Sequence, residues 1–201
     1  MNKYIISLRE LKWLQSAASN DSHRPNLRYG FTAWFDGCAW LCATDTHRLH
    51  MVRLGASAVF TPQHIDLKRL IMEAELAKAS HVEISSCWTK ASVGQMAGNN
   101  DELIYASPIC APFTIEDTPP SAAKIVEDGC KTPVSEFFAV NIRYLADAMS
   151  LASDDQNRVV IYAKSKNTVH FIQPDSPSPR WLVALMPMAL GGHWGTVGGS
   201  A

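Results

Sequence analysis

The side chains with the most chemical potential lie close together in the first quarter of the chain. Asp45, His47 and His50 could each ligate a metal ion or move a proton. In an extended segment, however, His47 and His50 point to opposite faces, because side chains alternate along a strand. No cluster of cysteines or carboxylates elsewhere offers an obvious further ligand. The sequence therefore predicts no metal site, and a metal-dependent enzyme built on these three residues is kept only as an alternative.

Common catalytic and nucleotide-binding signatures are missing from the sequence. It contains no G-x-S-x-G, no Walker A loop, no G-x-G-x-x-G and no H-E-x-x-H. We therefore predict a protein that is not an enzyme and that needs no cofactor.

Composition is that of an ordinary globular protein, with 201 residues, 47% of them hydrophobic and 18% charged. The formal net charge is −1, so no overall basic field favours nucleic acid, and any DNA contact must come from a local patch. No apolar run reaches the roughly 18 to 20 residues that span a bilayer, and no signal peptide is evident, which predicts a cytoplasmic protein. Five widely spaced cysteines predict buried, reduced thiols.

The polar stretch around His47 lies between predicted strands. Residues 29–35 and 38–44 are rich in aromatic and β-branched or apolar residues, and Asp36-Gly37 between them is a typical hairpin turn. A third strand begins near Leu49. The intervening Thr44 and Asp45 predict a turn that is closed by hydrogen bonds from side chains to the backbone.

Three helix starts recur along the chain, and each is followed by strand patterns. Ser7-Leu8-Arg9-Glu10 is a capping box, Thr61-Pro62 is an N-cap with proline at the first helical position, and Asn141 caps a third apolar stripe. The order β-α-β-β-β is repeated. The sequence thus predicts an α+β fold in which helices cover one face of antiparallel sheets.

Three segments also resemble one protein family, in the family's order. Residues 42–49 (Cys-Ala-Thr-Asp-Thr-His-Arg-Leu) resemble the A-T-D-G-H-R-L signature of the bacterial sliding clamp, the beta subunit of DNA polymerase III. Residues 140–148 resemble its F-N-P-x-Y-L-x-D-A-L segment, and residues 185–190 resemble its terminal V-M-P-M-R-L. The resemblance spans residues 5–190. Thr46 stands where the family has glycine, and Ala189 where it has arginine.

The resemblance implies a shortened DNA-clamp-like fold. Residues 1–115 are expected to form one clamp domain of two βαβββ units, 116–136 a linker, 137–190 a third unit, and 191–201 a flexible tail. An unmatched third unit would leave a free sheet edge and an apolar helix face, which soluble proteins seldom expose. We therefore expect self-association through residues 137–190.

The resemblance also implies two binding surfaces. The first is an apolar cleft for short linear motifs of polymerases or repair proteins, with walls formed by Thr44, His47, Arg48 and Leu49 on one side and by Ala184, Met186, Pro187 and Met188 on the other. The second is a sequence-independent surface for duplex DNA on the helices, formed by Arg9, Lys12, Lys68, Arg69, Lys78 and Arg143. The same helices carry Glu10, Glu73, Glu75 and Asp147, so this second surface would be nearly neutral.

The leading functional prediction is a shortened clamp-like accessory protein of DNA replication or repair, acting as a processivity factor or as a peptide-binding platform. The alternative is a clamp-fold interaction protein that binds replication partners without encircling DNA.

Overall fold

A computed structural model describes residues 3–35, 37–55, 62–85, 90–96, 103–109, 114–115, 132–133, 140–151, 159–163, 170–174, 176 and 179–186. The described part contains three α-helices and two antiparallel sheets, which confirms the α+β class. No helix within these ranges is both long and apolar enough to cross a membrane.

The elements follow one another in the predicted βαβββ order. One short 3-10 turn, Pro25–Leu27, lies between the first helix and the strand that follows it. The first unit comprises β1 (Lys3–Ser7), α1 (Leu8–Ala17), β2 (Gly30–Phe35), β3 (Cys38–Thr44) and β4 (Arg48–Gly55). The second comprises β5 (His64–Ile65), α2 (Leu67–Leu76), β6 (His81–Ser85), β7 (Ala91–Met96) and β8 (Leu103–Pro108). After β9 (Thr114–Ile115), the third comprises β10 (Thr132–Pro133), α3 (Ile142–Met149), β11 (Val159–Ala163), β12 (His170–Pro174) and β13 (Trp181–Leu185).

Two of the three predicted helix starts are confirmed. At α1 the Ser7 hydroxyl accepts a hydrogen bond from the Glu10 N–H (3.1 Å), and the Glu10 carboxylate accepts one from the Ser7 N–H (2.8 Å). At α3 the Asn141 side chain accepts from the Arg143 N–H (2.9 Å). Each cap satisfies backbone donors that have no partner inside the helix.

The predicted start of α2 at Thr61-Pro62 is wrong. The helix begins at Leu67, and its cap is Asp66, whose side chain accepts from the Arg69 N–H (3.0 Å). Thr61 lies outside the described residues. The start is delayed because His64 and Ile65 are extended and pair with β2, so that tertiary pairing overrides the local proline signal.

The first strands of the first two units are exchanged. In the four-stranded sheet, β1 of the first unit pairs with β6 of the second, and the strand order is β1-β6-β7-β8. In the nine-stranded sheet, β5 of the second unit pairs with β2 of the first, and the strand order is β10-β11-β12-β13-β4-β3-β2-β5-β9. Each unit therefore completes the sheet of the other, so that the two units form one body. Helix α1 packs against α2 on the same side of these sheets.

The predicted linker is partly sheet. Thr132 and Pro133, inside the range 116–136, pair with β11 at one end of the nine-stranded sheet. An edge position suits Pro133, because proline has no N–H to donate to a further strand. The rest of 116–136 and the tail 191–201 lie outside the described residues, and the division into domains stays a prediction.

The third unit is joined to the first within the same chain. Five residues of β13 pair with β4, from Trp181 opposite Val52 to Leu185 opposite Arg48. Helix α3 packs against α1 and against β13. The β13 side of the third unit is therefore occupied by β4, β10 lies at the edge of the sheet, and self-association through 137–190 stays a prediction.

The central strands are buried on both faces. On the helix side, Leu41 and Val52 pack with Leu11, Leu14 and other residues of α1 and α2 in the main core. The opposite face carries a second buried group, which we call the outer cluster: Phe31, Ala33, Cys38, Trp40, Cys42, Leu49, Met51, Leu182 and Ala184. Cys38 and Cys42 are free buried thiols, as predicted, and burial raises the pKa of Cys42.

Candidate functional site

The turn between β3 and β4 is closed by its own side chains, as predicted. The Thr44 hydroxyl donates to the Arg48 carbonyl (2.6 Å) and accepts from the Thr46 N–H (3.1 Å). One carboxylate oxygen of Asp45 accepts from the N–H groups of His47 (2.9 Å) and Arg48 (3.1 Å). The short polar residues are therefore fully used in fixing this turn.

Thr46, at the tip of the turn, has a backbone conformation that is unusual for its side chain. Its φ is +81°, in the left-handed region where a β-branched residue is strained. Its hydroxyl accepts a hydrogen bond from the Arg24 guanidinium (3.1 Å). The sliding-clamp signature has glycine at this position, which adopts positive φ without steric cost.

We expect Thr46→Gly to raise the free energy of unfolding by about 1 kcal/mol, because relief of the strain outweighs the greater freedom of glycine in the unfolded chain. Urea denaturation followed by tryptophan fluorescence measures this. Ser22→Gly is a suitable control, since Ser22 is an exposed turn residue whose φ is not positive, and it should lower stability slightly. Equal losses in the two variants would contradict the strain.

The two predicted walls of the cleft are neighbouring strands. Thr44 pairs with Leu49 across β3 and β4, and Leu49 pairs with Ala184 across β4 and β13. These three residues form one buried row at the end of the outer cluster. Met186 lies two residues after Ala184, just beyond β13. Its N–H donates to the His47 carbonyl (2.9 Å), and 49% of its surface is exposed.

The structure thus brings together five of the eight predicted residues of the cleft: Thr44, His47, Leu49, Ala184 and Met186. His47 and Met186 are exposed where the buried row ends. Pro187 and Met188 lie outside the described residues. Arg48 is in a different environment.

Arg48 points to the helix side of the sheet, away from the buried row. Its side chain is only 10% exposed. The guanidinium forms ion pairs with Asp45 (3.2 Å) and Asp147, donates to the Ser16 carbonyl, and lies 4.5 Å from the centre of the Tyr144 ring. Arg48 therefore connects the turn to α1 and α3 and does not line the cleft.

Tyr144 of α3 is a residue of this site that sequence reasoning missed. Its ring is stacked near the His47 ring, with centroids 6.3 Å apart and an angle of 18° between the planes, and its face also meets Arg48. The helical stripe around it predicted a helix but carried no signal of contact with a turn almost a hundred residues earlier. Tyr144 links His47, at the exposed end of the turn, to the third unit.

His50 is a packing residue. It is fully buried and stacked on Trp13, with ring centroids 4.2 Å apart. Its Nδ1 lies 3.0 Å from the Trp13 carbonyl, so this nitrogen carries the proton and donates it. Burial, and secondarily the charge of Arg48, lowers the pKa of His50 to about 3, although the Trp13 carbonyl and Asp147 oppose the shift.

The metal-site alternative finds no support in this geometry. His50 is enclosed beside Trp13, whereas His47 is exposed at the turn and Asp45 is used by Arg48 and the backbone. Within the described ranges, no group of three or more His, Cys, Asp or Glu side chains could hold a metal ion.

A second ion pair fixes the other end of the junction between the first and third units. Arg180 donates to both carboxylate oxygens of Glu10 (2.6 and 3.1 Å) and also to the Ile5 carbonyl (3.0 Å). Burial by itself would raise the pKa of Glu10, but the bonds and charge of Arg180 and the bonds of Ser7 hold it below its usual value. The sequence identified Glu10 as a capping residue and gave no sign of this distant partner.

The expected DNA-binding cations are partly neutralised. Lys12 pairs with Glu75 (2.7 Å), Arg69 pairs with Glu73 (2.6 Å), and Arg9 donates to the Ser150 carbonyl (2.9 Å). Lys68, Lys78 and Arg143 are exposed. An open cleft of about 690 Å³ between α1 and the end of α3 includes Arg9, Lys12, Trp13, His81 and Asp147. The mixture of charges agrees with the predicted near-neutral helix surface.

The βαβββ units, the exchanged first strands and the helices on one side of the sheets define a DNA-clamp-like fold. Solved structures of bacterial sliding clamps, the beta subunits of DNA polymerase III, have this fold too. The Borrelia burgdorferi subunit in complex with a natural product is similar, with a TM-score of 0.65 and 14% identity over 95% of this chain and 65% of that one. The C. crescentus clamp with PEG bound to a putative beta-motif tethering region has a TM-score of 0.64 and 15% identity over 94% of this chain and 66% of that one. The Bartonella birtlesii clamp bound to griselimycin has a TM-score of 0.59 and 18% identity over the same shares.

The chain spans 65–66% of the length of these clamp structures. No protein-family model matches the sequence, and no curated protein matches it. At 14–18% identity, the likeness establishes the fold.

Proposed function

We propose that this chain is a shortened clamp-like accessory protein of DNA replication or repair that acts in the cytoplasm, without enzymatic activity, as a platform for short peptide motifs of polymerases or repair proteins. The observation that carries the proposal is the buried row of Thr44, Leu49 and Ala184, which ends beside the exposed Met186 and His47. We call this place the peptide site.

The chemistry of the peptide site suits an extended segment with apolar side chains. The exposed Met186 lies at the end of the buried row and the outer cluster, so an apolar side chain that docks there meets apolar atoms while the backbone of its segment stays in contact with water. Methionine is well suited to such a place, because its unbranched and polarisable side chain adapts to different partners.

A platform of this kind could act with or without encircling DNA. The ion pairs of Lys12 and Arg69 with glutamates of α2 favour the form that binds partners without enclosing DNA, because paired cations release few counterions when they approach phosphates. A processivity role through encirclement is the other form of the proposal.

Met186→Ala tests the peptide site. We expect it to weaken binding of a fluorescent peptide with a Gln-Leu-x-Leu-Phe-type motif by about five- to thirtyfold, or roughly 1–2 kcal/mol, because apolar contact with the partner is lost. Thermal stability should change little, since the side chain is half exposed. Fluorescence anisotropy and a thermal melt provide the two measurements.

Leu76→Ala is the matched control, because Leu76 is a 74% exposed apolar residue on α2, outside the peptide site. It should leave peptide affinity unchanged. Absence of peptide binding by the wild-type protein, or equal affinities of wild type and Met186→Ala, would contradict the proposal.

A further inference from the structure

The turn beside the peptide site presents positive charge to solvent. Asp45, the carboxylate of the turn, is largely buried and accepts hydrogen bonds from two backbone N–H groups and from Arg48, so its charge is neutralised internally. Arg24, in contrast, leaves 54% of its side chain exposed while its Nη1 donates to the Thr46 hydroxyl. A ligand that approaches this turn therefore meets a guanidinium.

Among the described residues, the carboxylate that pairs with Arg24 is that of Asp21, and it binds weakly. The Nε of Arg24 lies 3.9 Å from a carboxylate oxygen of Asp21, and both side chains are about half exposed. A pair at this distance in water contributes little free energy, so a better-placed carboxylate can compete for the guanidinium. Two parallel hydrogen bonds from arginine to a carboxylate are the stronger geometry.

Arg24 is hydrogen-bonded to the strained residue of the turn. Thr46 holds the guanidinium at 3.1 Å with its hydroxyl, and its own N–H donates to Thr44, the first residue of the buried row. Strained backbone persists where surrounding contacts enforce it, and it is concentrated at binding sites. A glycine at position 46 would relieve the strain but could not hold Arg24, so the threonine links the cation to the end of the peptide site.

We propose that Arg24 binds an acidic side chain of the docked peptide, placed next to the peptide's apolar anchor, so that the peptide site selects partner segments with a flanking Asp or Glu. This proposal rests on the proposed function of the same site and specifies the chemistry of its partner. The occupant is a protein segment, because apolar contact with Met186 at the end of the buried row accompanies the single charge contact.

The test is an anisotropy titration with three peptides that share one Gln-Leu-x-Leu-Phe-type motif and carry Glu before it, Glu after it, or Gln at both flanks. Wild-type protein should bind one of the Glu peptides about fivefold more tightly than the Gln peptide, as expected for a partly exposed charge pair. Arg24→Gln should remove this preference and leave affinity for the Gln peptide unchanged. Arg24→Lys should restore part of it, and about 0.5 M salt should reduce it.

Lys90→Gln is the control, because Lys90 is an exposed cation next to β7 of the other sheet, and it should preserve the preference. Equal affinity of wild-type protein for all three peptides, or an equal loss on all three in Arg24→Gln, would overturn the role of Arg24 while leaving the peptide site intact. Failure of all three to bind would instead overturn the proposed function. Binding of a short oligodeoxynucleotide that depends on Arg24, without a peptide preference, would assign the cation to nucleic acid and also overturn the proposal.

Discussion

Replacing Arg48 with alanine is expected to lower the free energy of unfolding by about 2–4 kcal/mol. The guanidinium is 10% exposed and joins two carboxylates, the Ser16 carbonyl and the Tyr144 ring. Its removal leaves the largely buried Asp45 without a cation and deprives the half-exposed Asp147 of its ion pair. Because Asp147 can be solvated by water, the loss of stability is smaller than for a fully buried pair. The contacts of α3 with the turn and with α1 weaken together.

Urea denaturation followed by tryptophan fluorescence measures the loss. Arg48→Lys should recover part of the stability, because lysine keeps the charge but cannot bind several partners with a planar fork. Arg143→Ala is the matched control, since Arg143 is an exposed arginine on the same helix that Arg48 contacts, and it should change stability by less than about 0.5 kcal/mol. A loss of under 1 kcal/mol in Arg48→Ala would show that the network contributes little.

Acidification is expected to have an effect of similar size through His50. Burial holds the pKa of His50 at about 3 in the folded protein, whereas an unfolded histidine titrates near 6.5. Between these values the unfolded chain binds a proton that the folded chain does not, so the free energy of unfolding falls as the pH is lowered. The slope approaches about 1.4 kcal/mol per pH unit, and the full interval amounts to roughly 4–5 kcal/mol.

The range from pH 6.5 to 5 lies above the usual pKa of carboxyl groups. Burial also lowers the pKa of His81, however, which adds a loss in the same direction, so a His50 variant is needed to separate the two histidines. Glu10, whose pKa is also lowered, contributes stability above the usual carboxyl value near 4.5 and loses it only at lower pH, as the folded pKa is approached. We expect wild-type protein to lose about 1.5–2 kcal/mol between pH 6.5 and 5 in urea titrations.

The variant that tests this is His50→Phe, which keeps an aromatic ring against Trp13 but cannot titrate. Its stability at pH 7 should be lower, since the Trp13 carbonyl loses a donor, yet its stability should vary much less between pH 6.5 and 5. His23→Gln, at an exposed loop position, should retain the wild-type slope. Equal slopes for wild type and His50→Phe would refute the assignment.

Local chemistry in the sequence determined several features of this protein. Three features follow from residues within a few positions of one another: the capping box at Ser7 and the cap at Asn141, the strand Cys38–Thr44, and the turn closed by Thr44 and Asp45. Their donors, acceptors and alternating side chains act over one turn of chain, so the linear order suffices to predict them. The clamp-like motifs predicted the DNA-clamp-like fold by resemblance to a known family.

Tertiary structure alone decided how these elements meet. The exchange of β1 and β5, the delayed start of α2 at Leu67 and the pairing of β13 with β4 depend on strands far apart in sequence. The sequence could not indicate on which face of β4 Arg48 would lie, because that depends on the register and on which side the helices pack. Glu10 shows the limit most clearly: its cap partner is three residues away, but its charge partner, Arg180, is 170 residues away, and nothing local encodes a contact that exists only once two sheets and a helix have come together.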